Sequence, residues 1–313
     1  MVLITGGLGY LGARIASYLK KSEKKVIIGV RSKQNFVPEE LKDCEIVEVN
    51  MEDEFSLHEA CKRVDTIIHL AGMNAQDCIM NPDKAILINS KGTLNLLNAA
   101  RLAKVRNFIY FSTAHVYSSP LIGNITETSE LRPAHPYSIS NQIAEKYVLN
   151  ASEEGSINCV IFRLTNAVGR PLNKEANCWS LVVNDLCKSA ATIRKLYLNS
   201  SKLNQRDFIS ISDVCSVVLF FLNNKLFAKN GEIYNISSGF STSLDDLTKI
   251  IVSRSRKKLG YSPEVAFNFV DKTNSQFDLS ISNKKLKKLG FNPSGSIIDE
   301  IDDLLIHCKT WYQ

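Results

Sequence analysis

A cluster of glycines near the start of the chain constrains the fold more than any other feature of the sequence. Residues 1–4 are apolar and, together with Thr5, predict a buried strand, and Gly6, Gly7, Gly9 and Gly12 follow. Apolar residues then recur at the spacing of one helix face. A strand, a glycine-rich turn and a helix in this order let a pyrophosphate approach bare backbone at a helix N-terminus. The segment therefore predicts a dinucleotide-binding turn.

Strand and helix patterns alternate through the first half of the chain and weaken beyond residue 165. This alternation predicts an α/β fold with a doubly wound parallel sheet, a Rossmann domain over residues 1–165. We expect residues 166–313 to form a smaller, mainly substrate-binding lobe, with some segments near 207–236 returning to the first domain and a ligand cleft between the two. The predicted strands include 1–5, 26–30, 45–49, 65–70, 107–112, 157–163 and 232–236, with short strands near Leu196 and Phe208; the predicted helices include 83–101, 137–154, 179–190, 214–222, 244–257 and 297–311.

The composition narrows the class of protein. A chain of 313 residues with 44% hydrophobic and 22% charged residues is typical of a soluble globular protein. No apolar run reaches the roughly 20 residues that cross a bilayer, and the chain opens on a strand rather than on a signal peptide, so we expect a cytoplasmic protein without membrane partners. The eight cysteines have no metal-ligand spacing and predict buried thiols and no metal site. The lysines at 257–258 and 284–288 predict solvated helix faces rather than a nucleic-acid interface.

The residues after the predicted strand 26–30 bear on which dinucleotide is bound. An NAD site usually has a carboxylate there to hold the ribose 2′-hydroxyl, whereas this chain has Arg31, Ser32 and Lys33. A guanidinium suits a 2′-phosphate, so the sequence favours NADP over NAD, with Ser32 and Lys33 assisting Arg31. Asn50 and Met51, after the third predicted strand, are the predicted adenine contacts.

A series of short motifs occurs in order along almost the whole chain. They are Thr-Gly-Gly-Leu-Gly-Tyr-Leu-Gly at 5–12, His-Leu-Ala-Gly at 69–72, Asn-Ser-Lys-Gly-Thr at 89–93, Phe-Ser-Thr-Ala-His-Val-Tyr at 111–117, Pro-Tyr at 136–137, Arg-Leu-Thr-Asn-Ala-Val-Gly at 163–169, Arg-Asp-Phe at 206–208, Tyr-Asn-Ile at 234–236 and Leu-Gly-Phe-Asn-Pro at 289–293. In these motifs the chain resembles the extended short-chain dehydrogenase/reductases, specifically the nucleotide-sugar epimerase, dehydratase and reductase group.

The resemblance implies hydride transfer between a nicotinamide dinucleotide and a carbon of a nucleotide-diphosphate sugar. It implies that Tyr137 is the general acid/base and that Thr113 hydrogen-bonds the same sugar oxygen. Asn74, His115, Asn166 and Arg206 are the implied substrate contacts, with Arg206 on the diphosphate. The cofactor contacts that it implies, beside Arg31, Asn50 and Met51, are Gly6, Gly9, Tyr10, Leu11, Gly12, Leu70, Ala71, Gly72, Asn89, Ser112, Tyr137, Asn141 and Leu164.

Position 141 departs from the resembled family. That family has a lysine four residues after the catalytic tyrosine, where its charge lowers the tyrosine pKa, and this chain has Asn141. A reduction needs only a proton donor, so the loss favours a 4-ketoreductase over a 4-epimerase, whose first step needs a base. Two alternatives stay open: another cation, Lys91, Arg132 or Lys146, replaces the lysine, or the chain is a catalytically impaired dinucleotide-binding sensor or assembly subunit.

The two residues after Thr113 bear on the choice of reaction as well. Family dehydratases have an aspartate and a glutamate there, whereas this chain has Ala114 and His115, which argues against a 4,6-dehydratase. His115 is either a proton carrier on a keto sugar or a plain substrate contact. The resemblance also implies a homodimer through the helices 83–101 and 137–154, although burial inside one subunit explains apolar residues such as Ala144, Tyr147 and Val148 equally well.

Overall fold

The computed structural model describes residues 1–32, 36–227, 230–268 and 278–313. Lys33, predicted to assist Arg31, lies outside these ranges. The chain forms two compact units. The first comprises residues 1–120, 127–164 and 215–235, and the second comprises 121–126, 165–214 and 236–313.

A seven-stranded sheet forms the centre of the first unit. Its strands are β1 (Val2–Thr5), β2 (Val26–Val30), β3 (Glu45–Glu48), β4 (Thr66–His69), β5 (Asn107–Thr113), β7 (Asn158–Leu164) and β11 (Glu232–Ile236). They lie in the order β11-β7-β5-β4-β1-β2-β3, and every pairing from β7 to β3 is parallel. This arrangement confirms the predicted Rossmann-like α/β fold. It also brings the carboxyl ends of β1, β4 and β5 to one edge, where ligands of such sheets bind.

The helices predicted over 83–101, 137–154 and 214–222 are present, and the last of them begins earlier, at Ile211. The helices of the first unit are α1 (Tyr10–Lys21), α2 (Glu54–Cys61), α3 (Ala75–Met80), α4 (Pro82–Ala85), α5 (Gly92–Leu102), α6 (Pro136–Glu153) and most of α8 (Ile211–Asn224). The stretch predicted as a single helix over 83–101 contains a π-helical turn, Ile86–Lys91, between α4 and α5. Hydrophobic periodicity over a long window does not detect one extra residue in a single turn.

The core of the first unit joins the sheet to α5 and α6. Leu3, Ile67 and Phe108 on three neighbouring strands are fully buried, and Ala144 and Val148 of α6 belong to the same apolar cluster. The apolar residues that we noted on the predicted helix 137–154 therefore include two that are core residues of one subunit.

The second unit contains smaller sheets and three longer helices. Its strands are β6 (Gly123–Ile125), β8 (Asn166–Val168), β9 (Lys195–Leu198), β10 (Gln205–Ser210), β12 (Ser241–Ser243), β13 (Glu264–Phe267) and β14 (Leu279–Ile281), and its helices are α7 (Val182–Ile193), α9 (Leu244–Leu259), α10 (Lys284–Lys288) and α11 (Ile297–Tyr312). β10 lies between β8 and β12. The helix predicted over 179–190 begins at Val182 because Leu181 before it is extended.

Candidate active site

The glycine-rich turn after β1 has no room for side chains. Gly6 has a φ of +66°, and a Cβ at Gly12 would lie 2.2 Å from the carbonyl oxygen of Gly6. Gly9 is the N-cap of α1, and no side chain caps this helix. The bare backbone and the uncapped helix start are what a pyrophosphate needs, so the residues present fit the phosphate bridge of a dinucleotide.

The residues predicted to hold the adenosine half of the cofactor lie after β2 and β3. Arg31 is exposed, and none of the described residues forms a hydrogen bond or ion pair with its guanidinium. The Asn50 side chain accepts a hydrogen bond from the Glu52 N–H at 3.1 Å, which closes a local turn. Met51 is buried, and its carbonyl oxygen accepts from Nδ2 of Asn95 at 2.9 Å. Among the described residues, none accepts from the Arg31 guanidinium or from the Asn50 amide nitrogen, so both keep donors for a ligand.

Two asparagines predicted at the site use their amides inside the protein. Asn89 is buried, accepts from the Met73 N–H at 2.7 Å and donates to Ser140 Oγ at 3.0 Å. Asn74 is the N-cap of α3, where its Oδ1 accepts from the Asp77 N–H at 2.9 Å. Their contacts to cofactor and substrate stay predictions, and the structure shows that both order the loop that follows β4.

Tyr137 lies in the first turn of α6, which packs against β5 and the turn that follows it. Its side chain is half-buried, and no described residue hydrogen-bonds its hydroxyl. Burial raises the pKa of Tyr137 to about 12. Thr113, the last residue of β5, accepts from the His115 N–H at 3.2 Å, which leaves its own O–H for a further partner. The phenol and this hydroxyl are both available to a ligand oxygen.

The Asn141 side chain is held between its own helix and the sheet. Its Nδ2 donates to the carbonyl oxygen of Tyr137 at 2.7 Å, and its Oδ1 accepts from the Tyr110 hydroxyl at 2.8 Å. Burial raises the pKa of Tyr110 well above its ordinary value, so that hydroxyl stays protonated and donates. Asn141 thus retains one N–H for a ligand and supplies no charge.

None of the cations considered as a replacement for the lysine offsets the effect of burial on Tyr137. Lys91 and Lys146 are exposed, and Arg132 is exposed and pairs with Glu130 at 2.6 Å. The pKa of Tyr137 is raised by burial and, to a smaller extent, by the nearby Cys78 thiol. The described surroundings of Tyr137 therefore favour the protonated phenol.

A buried ion pair contacts the predicted catalytic segment 111–117 through Ser112. Glu145 of α6 accepts from Ser112 Oγ at 2.5 Å and from Nε and Nη2 of Arg163 at 3.0 and 2.7 Å. The Arg163 guanidinium also lies 4.8 Å from the centre of the Tyr117 ring. Ser112, predicted at the cofactor, is thereby a link between β5, α6 and β7. Arg163 belongs to one of the motifs noted in the sequence, but its pairing with Glu145 was not predicted.

Two of the predicted substrate residues, Asn166 and Arg206, lie in the second unit. Asp207 is fully buried and accepts from Thr165 Oγ1 at 2.8 Å and from the Ser238 and Gly239 N–H groups at 2.9 and 3.0 Å. Asn166 donates to the Asp207 carbonyl at 2.8 Å. Arg206 has no hydrogen-bond or ion-pair partner among the described residues, and burial lowers its pKa. A half-buried guanidinium without an acidic partner is suited to bind an anionic ligand.

The predicted contacts Tyr10 and Leu11 lie in the first turn of α1, and Leu70, Ala71 and Gly72 lie on the loop after β4. The strands β1 and β4 that precede them adjoin in the sheet order. Leu164 is buried at the end of β7. Within the described ranges, no group of three histidine, cysteine or acidic side chains is arranged to hold a metal, and no helix is long and apolar enough to cross a membrane.

Comparison with known proteins agrees with this geometry. The model of the NAD dependent epimerase/dehydratase family matches residues 2–237. The dTDP-D-glucose 4,6-dehydratase of Homo sapiens is 27% identical over 93% of this chain and 85% of its own, and the UDP-glucose 4-epimerase of Mycoplasma genitalium is 29% identical over 84% of each.

Solved structures share the fold along the whole chain. A UDP-glucose 4-epimerase from Thermotoga maritima, solved with UDP-glucose, superposes with a TM-score of 0.81 over 99% of both chains at 22% identity. The family model covers more than half of the chain, and the resemblance noted in the motifs is thereby confirmed. The protein belongs to the NAD-dependent epimerase/dehydratase family, and the two similar enzymes named above, the dehydratase and the epimerase, act on nucleotide sugars.

Proposed function

We propose that the chain is an NADP-dependent 4-ketoreductase that converts a keto group of a nucleotide-diphosphate sugar to a hydroxyl. The observation that carries the proposal is the neutral surrounding of Tyr137, with Asn141 in place of a lysine and a phenol pKa raised to about 12. A phenol in that state is ready to give a proton and poorly suited to take one.

The nicotinamide of a dinucleotide whose phosphates bind the glycine-rich turn would supply the hydride that reduces the sugar carbon. The chain's own residues handle the oxygen. Tyr137 donates its proton to the carbonyl oxygen as that oxygen gains negative charge, and Thr113 donates a second hydrogen bond to the same atom. Carbon gains a hydride and oxygen gains a proton, so the product is the alcohol and Tyr137 regains its proton from solvent.

The exposed guanidinium of Arg31 supports the phosphorylated cofactor. It follows β2, the strand whose end meets the adenosine ribose in folds of this kind, and it has no acidic partner among the described residues. A 2′-phosphate would accept charge-assisted hydrogen bonds from it.

The Arg206 guanidinium, which has no partner among the described residues, supports a diphosphate substrate. Asp207, its neighbour in sequence, directs its carboxylate to Thr165, Ser238 and Gly239 rather than to Arg206. Arg206 is therefore free to bind a diphosphate in a bidentate manner, with Asn166 on the neighbouring strand β8 as a further polar contact.

A 4-epimerase is the second candidate, because the chain is similar to UDP-glucose 4-epimerases. Epimerisation begins with oxidation of a hydroxyl, a step that needs the phenolate of Tyr137. The 4,6-dehydratase reaction of other relatives is less suited to this chain, because Ala114 and His115 stand where a pair of carboxylates would move the protons of water loss.

The test mixes the purified protein with NADPH and a panel of 4-keto nucleotide sugars and follows the absorbance of the reduced nicotinamide. We expect oxidation of NADPH in step with sugar reduction, and a loss of about 100-fold or more in Tyr137→Phe. Tyr18→Phe, which removes a hydroxyl on α1, is the matched control and should retain full turnover.

Three results would contradict the reductase proposal in different ways. Sugar interconversion without net oxidation of NADPH would indicate an epimerase. Dinucleotide binding without turnover of any sugar would indicate the sensor or assembly subunit. Absence of dinucleotide binding would remove the proposed site altogether.

A further inference from the structure

We propose that His69 is a positioning residue that couples the cofactor-binding loops to the helical turn carrying Tyr137, through a chain of hydrogen bonds that all point in one direction. The proposal deepens the proposed function, because it concerns how the same site is held in register. All members of the chain lie in the first compact unit.

His69 ends β4 and is 1% exposed. Its Nδ1 lies 2.6 Å from Thr5 Oγ1 at the end of β1, and its Nε2 lies 3.0 Å from Thr93 Oγ1 in the first turn of α5. A buried imidazole bonded at both nitrogens is held in one orientation, but these distances alone do not tell which nitrogen bears the proton.

The contact between Thr93 and Asn89 decides the direction of the chain. The Thr93 Oγ1 lies 2.6 Å from the carbonyl oxygen of Asn89. Two oxygens at this distance need a proton between them, and only the hydroxyl has one, so Thr93 donates to Asn89. Thr93 therefore accepts from His69, and the proton of the imidazole lies on Nε2.

The other end of the chain follows from the neutral state of the ring. Burial lowers the pKa of His69 to about 3, so at neutral pH the ring has a single N–H, and Nδ1 is an acceptor. The Thr5 hydroxyl then donates to Nδ1. Its oxygen in turn accepts from the Leu70 and Ala71 N–H groups, each at 3.2 Å.

Asn89 continues the connection to the catalytic helix. Its Nδ2 donates to Ser140 Oγ at 3.0 Å, and Ser140 Oγ donates to the Tyr137 carbonyl at 2.9 Å. The donors thus run from the loop after β4, through Thr5, His69, Thr93, Asn89 and Ser140, to the first turn of α6. A displacement of the cofactor loops is transmitted to the backbone of Tyr137.

A purely structural role for His69 predicts a loss of stability alone when its contacts are changed. The ring also packs near Phe108 and Tyr110, with ring centres 5.8 and 5.7 Å away, so its loss lowers stability whatever its role. The coupling makes a separate prediction: a change at Thr93, which is remote from Thr5 in sequence, alters the protonated nitrogen of His69 and with it the cofactor site.

The test uses the full chain as Thr93→Val, which preserves the shape of the side chain and removes the hydroxyl. In the wild type, nitrogen NMR of labelled histidine should show His69 protonated at Nε2. In Thr93→Val we expect the proton to move to Nδ1, where it competes with the Leu70 and Ala71 N–H groups for Thr5 Oγ1, and the dissociation constant of NADPH to rise about three- to tenfold. Thr93→Ser should restore both properties.

The matched control is Thr66→Val, a buried threonine at the other end of β4 whose Oγ1 bonds to Asn107 and to none of these residues. It should change stability without changing the His69 tautomer or the NADPH affinity. Protonation at Nδ1 in the wild type, or equal NADPH affinities in the two valine variants, would overturn the coupling. Neither readout needs a sugar substrate, so failure of the reductase assay alone would leave this inference standing.

Discussion

At position 141 a neutral amide stands one helical turn after the phenol that we propose as the proton donor. The Tyr110 hydroxyl holds its oxygen, and the Tyr137 carbonyl holds one of its N–H groups. The amide is therefore built into the helix–sheet contact, and its orientation is set by the Tyr137 carbonyl, which can only accept. With no charge at position 141, burial of Tyr137 sets the protonation state in which it meets its substrate.

The pH dependence of the reaction follows from this arrangement. Because the pKa of Tyr137 is raised to about 12, the phenol stays protonated at neutral and mildly alkaline pH. We expect the reductive kcat to be independent of pH there, and the reverse oxidation of the alcohol to rise about tenfold per pH unit with the phenolate fraction.

Asn141→Lys is the corresponding variant. Its ammonium would lower the pKa of Tyr137, so the oxidation profile should shift to lower pH while the reductive rate at neutral pH changes little. Gln142→Lys adds the same charge at the next residue of α6 and should leave the profile in place. Identical pH profiles of the oxidation rate for Asn141→Lys and the wild type would contradict the proposal that a charge at position 141 lowers the pKa of Tyr137.

Arg31 carries a second prediction at the scale of one residue. Arg31→Asp should weaken NADPH binding about tenfold or more and strengthen NADH binding, because a carboxylate repels the 2′-phosphate and accepts from a ribose hydroxyl. Arg63→Asp, an exposed change beyond α2, should affect neither. Titration of both dinucleotides checks this, and unchanged preference would remove Arg31 from the site.

At the scale of elements, three pieces of the first unit meet at one buried ion pair. Glu145 joins α6 to Ser112 at the end of β5 and to Arg163 in β7. The strands were predictable from short apolar runs, and the glycine turn from its residue types. The pairing of Glu145 with Arg163 was not predictable, because a separation of 18 residues in sequence does not tell how a helix and a strand align in space. The two uses of Asn89 were hidden for the same reason.

Breaking this pair should destabilise the fold. Glu145→Gln leaves the Arg163 guanidinium buried without a counter-charge, and we expect the free energy of unfolding to fall by about 3 kcal/mol. Glu45→Gln removes the partner of the exposed Arg63 and should cost less than about 1 kcal/mol. Urea denaturation of both variants measures the difference. Equal losses of unfolding free energy in the two variants would show that burial does not make the Glu145–Arg163 pair more important for stability.

At the scale of the whole molecule, the first unit exposes apolar side chains that its core does not use. Ile79 and Met80 of α3 are 58% and 84% exposed, and Ile86 and Leu87 of the π-helical turn that follows α4 are 38% and 39% exposed. Residues such as Ala144 do not contribute, since they are buried in the monomer. We propose that this apolar surface (Ile79, Met80, Ile86 and Leu87) covers its equivalent in a homodimer.

Charges on this surface should separate the subunits. For Met80→Glu combined with Leu87→Glu we expect a monomer by sedimentation analysis, where the wild type is a dimer, with little change in thermal stability of the subunit. Phe55→Glu, on α2 and 72% exposed, is the control and should leave the dimer intact. A wild type that sediments as a monomer at all concentrations would dismiss the dimer.

The π-helical turn at Ile86–Lys91 has a consequence for length variation in this chain. In an α-helix neighbouring side chains diverge by about 100°, yet Asn89 and Ser90 both reach Ser140, through its hydroxyl and its carbonyl. The wider turn lets two successive residues face one point, which amounts to one residue inserted into an ordinary helix. Deleting a single residue such as Leu87 would restore regular α-helical winding and rotate either Asn89 or Ser90 away from α6. We expect this deletion to disrupt the contact with Ser140 more than any single substitution nearby.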